Sequence, residues 1–231
     1  MKTATLVVTV TAAVLLAACE KEPEAHALKR EAAATTSEAP VTKVTDKPFV
    51  TLEDGSKYAG DTVNGKKEGK GVYQWPNGDL YEGDWKNDVM EGFGKFTTAG
   101  KQIYEGQWLN GLFEGEGTYT WPSGAKYKGH FSAGQKNGSG RYDWPDGRVY
   151  RGEFKADLKN GNGEYQWPDG RKYTGQFDHD HRTGKGKYVN ADNEVYEGDF
   201  VDGVQQGRGV MTYNDGSVYD GQFEDDERSG M

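Results

Sequence analysis

The chain has 231 residues, with 28 Lys and Arg against 37 Asp and Glu and a mean hydropathy of −0.92. That acidic excess argues against nucleic acid, whose phosphate backbone needs clustered cations, and against docking on anionic lipid head groups. The single cysteine, Cys19, excludes an internal disulfide. Composition divides at about residue 50. All 34 glycines lie beyond it, as does every aromatic residue except Phe49, and so does the whole net charge of −9.

Lys2 is a minimal positive start, and Thr3 to Leu16 is an apolar run. A bilayer span needs roughly 20 apolar residues, so this run reads as a secretory signal. Leu16-Ala17-Ala18-Cys19 resembles a bacterial lipobox. The resemblance implies cleavage after residue 18 and lipidation of Cys19, with several acyl chains giving firm anchoring. An ordinary secretory signal with an incidental cysteine is the alternative. Glu20 follows the cysteine. Enteric inner-membrane retention typically uses Asp there, so the expected location is the outer membrane, facing the periplasm. Residues 19–48 are Glu, Lys, Ala, Thr and Pro with few large apolar side chains, too few to offset ordering entropy; they are expected to form a disordered tether.

From residue 49 to 231 the chain repeats. Tyrosine stands at 58, 81, 104, 127, 150, 173, 196 and 219, always 23 residues apart. With each tyrosine numbered position 1, position 3 is always glycine, as at Gly83, Gly106, Gly129, Gly152, Gly175 and Gly198. Positions 12 and 14 are glycine throughout, as at Gly92, Gly94, Gly115 and Gly117. Position 5 is aromatic in seven units, including Trp85, Trp108, Phe131, Phe154, Phe177 and Phe200. Position 16 is mostly aromatic, as at Tyr119, and position 18 carries Trp75, Trp121, Trp144 and Trp167. Even spacing places 1, 3 and 5 on one strand face, and 12, 14, 16 and 18 on one face of a second strand. The intervening positions are mostly charged or polar. Each unit therefore reads as two strands with one aromatic-and-glycine face and one wet face. The fold class is all-β: an elongated, single-layer antiparallel hairpin repeat.

The turns agree. Trp75-Pro76-Asn77-Gly78 and its counterparts at 121, 144 and 167 suit a type I turn. Asn64-Gly65, Asn110-Gly111 and Asp202-Gly203 tolerate positive φ in a tight hairpin. Strand glycine costs about 0.5–1 kcal/mol relative to alanine, so something must compensate. Rings from one hairpin, laid over the bare backbone of the next, would do so.

The pattern Tyr-x-Gly-x-aromatic, six residues, then Gly-x-Gly-x-aromatic resembles the MORN repeat over residues 58–231. The resemblance implies an extended hairpin rod used for interaction or dimerisation. At about 4.8 Å per strand, such a rod would run about 70–80 Å. Some units depart from the pattern. Thr62 stands at position 5 of the first unit, while Thr98-Ala99-Gly100 and Ala191-Asp192-Asn193 replace the Trp-Pro turn. Phe49 to Lys57 fits the second half of an earlier unit, and the last unit is expected to stop after one strand.

Signals for chemistry are weak beside this periodicity. Gly69-Lys70-Gly71 lacks the helix and Gly-Lys-Ser/Thr of a phosphate loop. Asp178, His179, Asp180 and His181 form a polar cluster that is either a metal site or a solvated turn. Glu82 with Asp84, and Glu197 with Asp199, are paired acids on the wet face without a pocket to tune them. No catalytic, cofactor-binding or metal-ligating residue is assigned, and the chain is expected not to be an enzyme. The expected role is a lipid-anchored scaffold for a protein partner, with self-association as a further expectation. The alternatives are glycan binding by the aromatic groove, which requires exposed Trp rings, and lipid head-group binding.

Overall fold

The computed structural model describes residues 45–229, and all regular structure among them is strand. The signal sequence, Cys19 and most of the tether lie outside these residues. β1 (Val50–Thr51) is followed by β2 (Lys57–Val63), β3 (Lys66–Gln74), β4 (Leu80–Lys86), β5 (Val89–Thr97), β6 (Ile103–Leu109), β7 (Leu112–Thr120), β8 (Lys126–Ser132) and β9 (Gln135–Asp143). Then come β10 (Val149–Lys155), β11 (Leu158–Gln166), β12 (Lys172–Asp178), β13 (His181–Val189), β14 (Val195–Val201), β15 (Val204–Thr212), β16 (Val218–Glu224) and β17 (Glu227–Ser229). Each strand pairs antiparallel with its sequence neighbours, giving one open sheet of 17 strands. The all-β hairpin rod expected from the sequence is the fold observed.

The register explains the invariant residues. Position 3 faces position 14 both within a unit and across to the next, as in Gly83 opposite Gly94 and Gly71 opposite Gly83. A continuous row of glycine thus crosses the sheet. Beside it, position 1 faces position 16, as in Tyr81 opposite Phe96. Each position-1 tyrosine reclines over this row and donates its hydroxyl hydrogen to the carbonyl three residues on: Tyr81 to Asp84 at 2.9 Å, Tyr127 to His130 at 3.0 Å, Tyr196 to Asp199 at 2.9 Å. A Cβ added at Gly94 would lie 2.4 Å from the Tyr81 hydroxyl oxygen, and one at Gly83 2.5 Å from the Gly94 Cα. The glycines are therefore required by close approach. The rings shield the backbone of their own hairpin, rather than that of the next one as the sequence suggested.

Position 5 does the joining. Phe131 meets both Tyr104 and Tyr127 edge-on at 5.1 Å, and Phe154 meets Tyr127 at 5.0 Å and Tyr150 at 5.1 Å. The zigzag continues through Phe177, Phe200 and Phe223. Such edge-to-face pairs add to the area they bury. Trp108 also donates from Nε1 to the Gly94 carbonyl at 3.1 Å. Tyr81, Tyr127, Tyr150, Tyr173 and Tyr196 are fully buried, although the strands among the described residues form a single sheet.

Position 12 requires a correction. Its even spacing from position 14 suggested the aromatic face. Instead the pairing shifts there, with Gly83 opposite Gly94 but Trp85 opposite Met90, so three residues on β5 face one on β4. The position-12 glycine sits in this bulge with left-handed φ, +79° at Gly92 and +61° at Gly115. A Cβ on Gly92 would point at Asp84, on the wet face. The residue that turns inward is position 10.

The turns follow the expected chemistry. Asn64-Gly65 and Asn110-Gly111 have positive φ at both residues. Trp75-Pro76-Asn77-Gly78 closes with Gly78 N–H on the Trp75 carbonyl at 3.0 Å, Gly78 lying at φ +94°. The two divergent turns keep this hydrogen bonding without Trp-Pro, using Lys101 at φ +64° and Asn193 at φ +65° in place of glycine. The last unit continues beyond one strand: Asp225 and Asp226 form its turn, and β17 pairs back on β16.

Candidate functional site

The inner face is fully committed to packing. Trp121 is 3% exposed and Trp144 7%, while Trp75 and Trp167 are half-buried against the cluster. Each packs on the tyrosine two residues before it, at 4.3–4.6 Å between ring centres. Glycan stacking needs open ring faces, and these four rings do not form such a platform. Burial also raises the tyrosine hydroxyls, to about 12 for Tyr58, Tyr173 and Tyr196, so they stay protonated and serve as donors.

The row the sequence reading missed is position 10: Lys67, Met90, Phe113, Lys136, Lys159, Arg182 and Gln205. Each accepts, at its carbonyl, the N–H of position 8 in the next unit, at 2.9–3.1 Å. Where position 8 is aspartate, the bond is returned. Oδ1 of Asp88, Asp157, Asp180 and Asp226 accepts the N–H of Lys67, Lys136, Lys159 and Gln205, respectively. The three lysines also form ion pairs with those carboxylates, at 3.1, 3.8 and 2.9 Å. Their ammonium groups lie over rings, as Lys136 does over Trp121 at 5.5 Å and Tyr142 at 5.4 Å. Hydrogen bonding and attraction to lysine hold the Asp88 and Asp180 carboxyls below their ordinary value, despite the opposing effect of partial burial. Where position 8 is glycine, position 10 is Met90, Phe113 or Arg182, and Arg182 binds the Gly203 carbonyl. The signal was present in the sequence as a co-occurrence at 21-residue spacing.

The Asp178–His181 cluster resolves into these contacts. Asp180 holds Lys159, while His179 contacts Asp178 through Nδ1 at 2.7 Å. Among the described residues no group of three or more His, Cys, Asp or Glu is placed to hold a metal ion. The paired acids are likewise engaged: Asp84 with Lys70, Glu197 with Lys187 and Asp199 with Lys185, each at 2.7 Å.

That leaves the outer face, where positions 2, 4, 13 and 15 border shallow troughs above the glycine row. One trough of about 530 Å³ carries Lys187 beside Glu197 and Arg208 beside Asp220. Another of about 640 Å³ carries Lys128, Arg141 and Arg151 among Glu116 and Glu153. The face is open, ribbed and charged, suited to an extended binding partner.

The family-model comparison agrees with the repeat architecture. Among curated protein sequences none matches this chain. Among solved structures, it is similar to the TCP domain of SAS-4 from Drosophila melanogaster, in complex there with a proline-rich motif of Ana2. The TM-score is 0.44 at 16% identity, covering 85% of this chain and 99% of that one. The wild-type TCP10 domain of Danio rerio CPAP is similar at TM-score 0.26 and 16% identity, over 76% of this chain and 100% of that one. The family model described as MORN repeat matches residues 58–80, 81–100, 104–126, 127–147, 150–170, 173–195, 196–218 and 219–231. With more than half of its length matched in these eight segments, the chain belongs to the MORN-repeat family.

Proposed function

We propose that the protein is a non-catalytic scaffold, held on the bacterial envelope through lipidated Cys19, that presents its outer sheet face to a protein partner in the periplasm. The observation that carries the binding role is the division of labour between faces. The aromatic face is consumed by its own packing, so recognition falls to the ribbed, charged face. The MORN repeats suggest the same kind of module. The anchor and the outer-membrane location rest on the lipobox-like residues 16–19 and on Glu20.

Photo-crosslinking in intact cells tests the binding role. A crosslinking side chain at Thr118 or Thr174, both on the outer face, is expected to capture one discrete protein. Crosslinking only from tether positions, or none at all, would remove the support for a scaffold. Replacing Cys19 with Ser is expected to release the chain from the membrane fraction. Retention of that variant in the membrane would overturn the anchor.

A further inference from the structure

Net charge hides a strong polarity along the rod. Residues 127–172 carry nine Lys and Arg against six Asp and Glu, whereas residues 196–231 carry two against nine. The basic centre shows itself on the outer face. Lys128 on β8 stands directly opposite Arg141 on β9, and Arg141 directly opposite Arg151 on β10. Opposed cross-strand residues have Cβ atoms about 4.5–5.5 Å apart, and like charges placed so destabilise a sheet. All three side chains are exposed and line the trough of about 640 Å³.

The other trough, farther along the rod, shows the arrangement that folding alone favours. There Lys187 faces Glu197 and pairs with it at 2.7 Å. In the basic row, Arg141 turns aside to Asp143 at 2.6 Å, and Arg151 reaches Glu164 at 3.6 Å, which Lys172 also holds at 2.6 Å. Three cations in register on three successive strands thus outnumber the two carboxylates that line the trough, Glu116 and Glu153.

We propose that the trough over Lys128, Arg141 and Arg151 binds an acidic peptide segment of a partner protein. This inference rests on the scaffold reading and adds the partner's chemistry to it. Charge complementarity selects the occupant: the row presents guanidinium and ammonium donors to carboxylates along the rod axis, within a chain that is acidic elsewhere.

The test uses the full chain in detergent with fluorescein-labelled deca-glutamate and deca-lysine peptides, read by anisotropy. Deca-glutamate is expected to bind with an affinity that falls as salt rises, and deca-lysine not to bind. The Lys128→Gln/Arg151→Gln double variant is expected to weaken binding at least tenfold and to melt no lower than the parent, because it removes the two like charges opposite Arg141 while Lys172 still holds Glu164. Lys187→Glu, in the other trough, is expected to leave binding within twofold. No binding of deca-glutamate, or equal loss in both variants, overturns the inference. So does a concentration-dependent dimer dissolved by the double variant, which would place a second copy in the trough. Failure here, with outer-face crosslinks still formed, sinks the acidic partner alone; failure of the crosslinks sinks the scaffold.

Discussion

Two of the seams joining successive hairpins are built differently, and the contrast shows how the sheet tolerates charge in its core. At the seam after the third unit, Phe113 stacks on Tyr104 at 3.8 Å, and Gly134 donates its N–H to the Phe113 carbonyl at 2.9 Å. At the seam after the fourth, Lys136 occupies the same place, its side chain 6% exposed; the Asp157 carboxylate accepts the Lys136 N–H, and the Asp157 N–H donates to the Lys136 carbonyl. The ring cage differs little; the partner at position 8 differs wholly. A buried ammonium is accommodated because its neutralising group is contributed by the following unit. Each Lys–Asp seam is therefore a two-unit feature that neither unit specifies alone.

Mixing the two kinds of seam gives the largest expected effect. Phe113→Lys places a cation where Gly134 offers no carboxylate, and should cost about 3–5 kcal/mol, as other unpaired buried charges do. Urea unfolding of the variant against the parent measures it, and a loss under about 1 kcal/mol would mean the rings alone suffice. Asp157→Ala, which leaves Lys136 among its rings, should cost about 2–3 kcal/mol by the same measurement. Asp180→Ala removes a carboxylate whose side chain is 42% exposed, and solvent screening should hold that loss to about 1 kcal/mol.

Acid probes the same contrast without mutation. The Asp88 and Asp180 carboxyls titrate below 3.8 in the folded protein, so their stabilisation is complete above that value and is lost as pH falls through the lowered ones. The unfolding midpoint should therefore drop as pH is lowered from about 4 towards 2. The drop should shrink when both positions are Asn; an identical drop there would assign the acid sensitivity elsewhere. The smallest effect belongs to the full exchange. Lys136→Met with Asp157→Gly rebuilds the arrangement seen at Met90 and Gly111, and should stay within about 1 kcal/mol of the parent.

Much of the fold is legible in the sequence because a 23-residue period, even spacing and turn residues all point to the same hairpin. The legible part ends where a local backbone state breaks the parity rule. Gly92 and its equivalents keep the spacing of an inward residue but adopt positive φ, which spacing does not reveal. Position 10 was hidden for a different reason. Lys67, Lys136 and Lys159 are polar residues on an apolar face, and only their pairing with an aspartate 21 residues later makes sense of them. The outer face was legible only as wet. That Lys128, Arg141 and Arg151 stand shoulder to shoulder depends on strand register, which brings residues 13 and 10 apart in sequence into direct opposition.

Among the described residues, substantial contacts join only strands adjacent in the chain. Load applied along the axis would therefore pass through these seams in series. Tension between the proposed anchor and a captured partner would peel the ribbon one 23-residue step at a time, lengthening the molecule without releasing either attachment. Such a rod would act as an extensible spacer between the two.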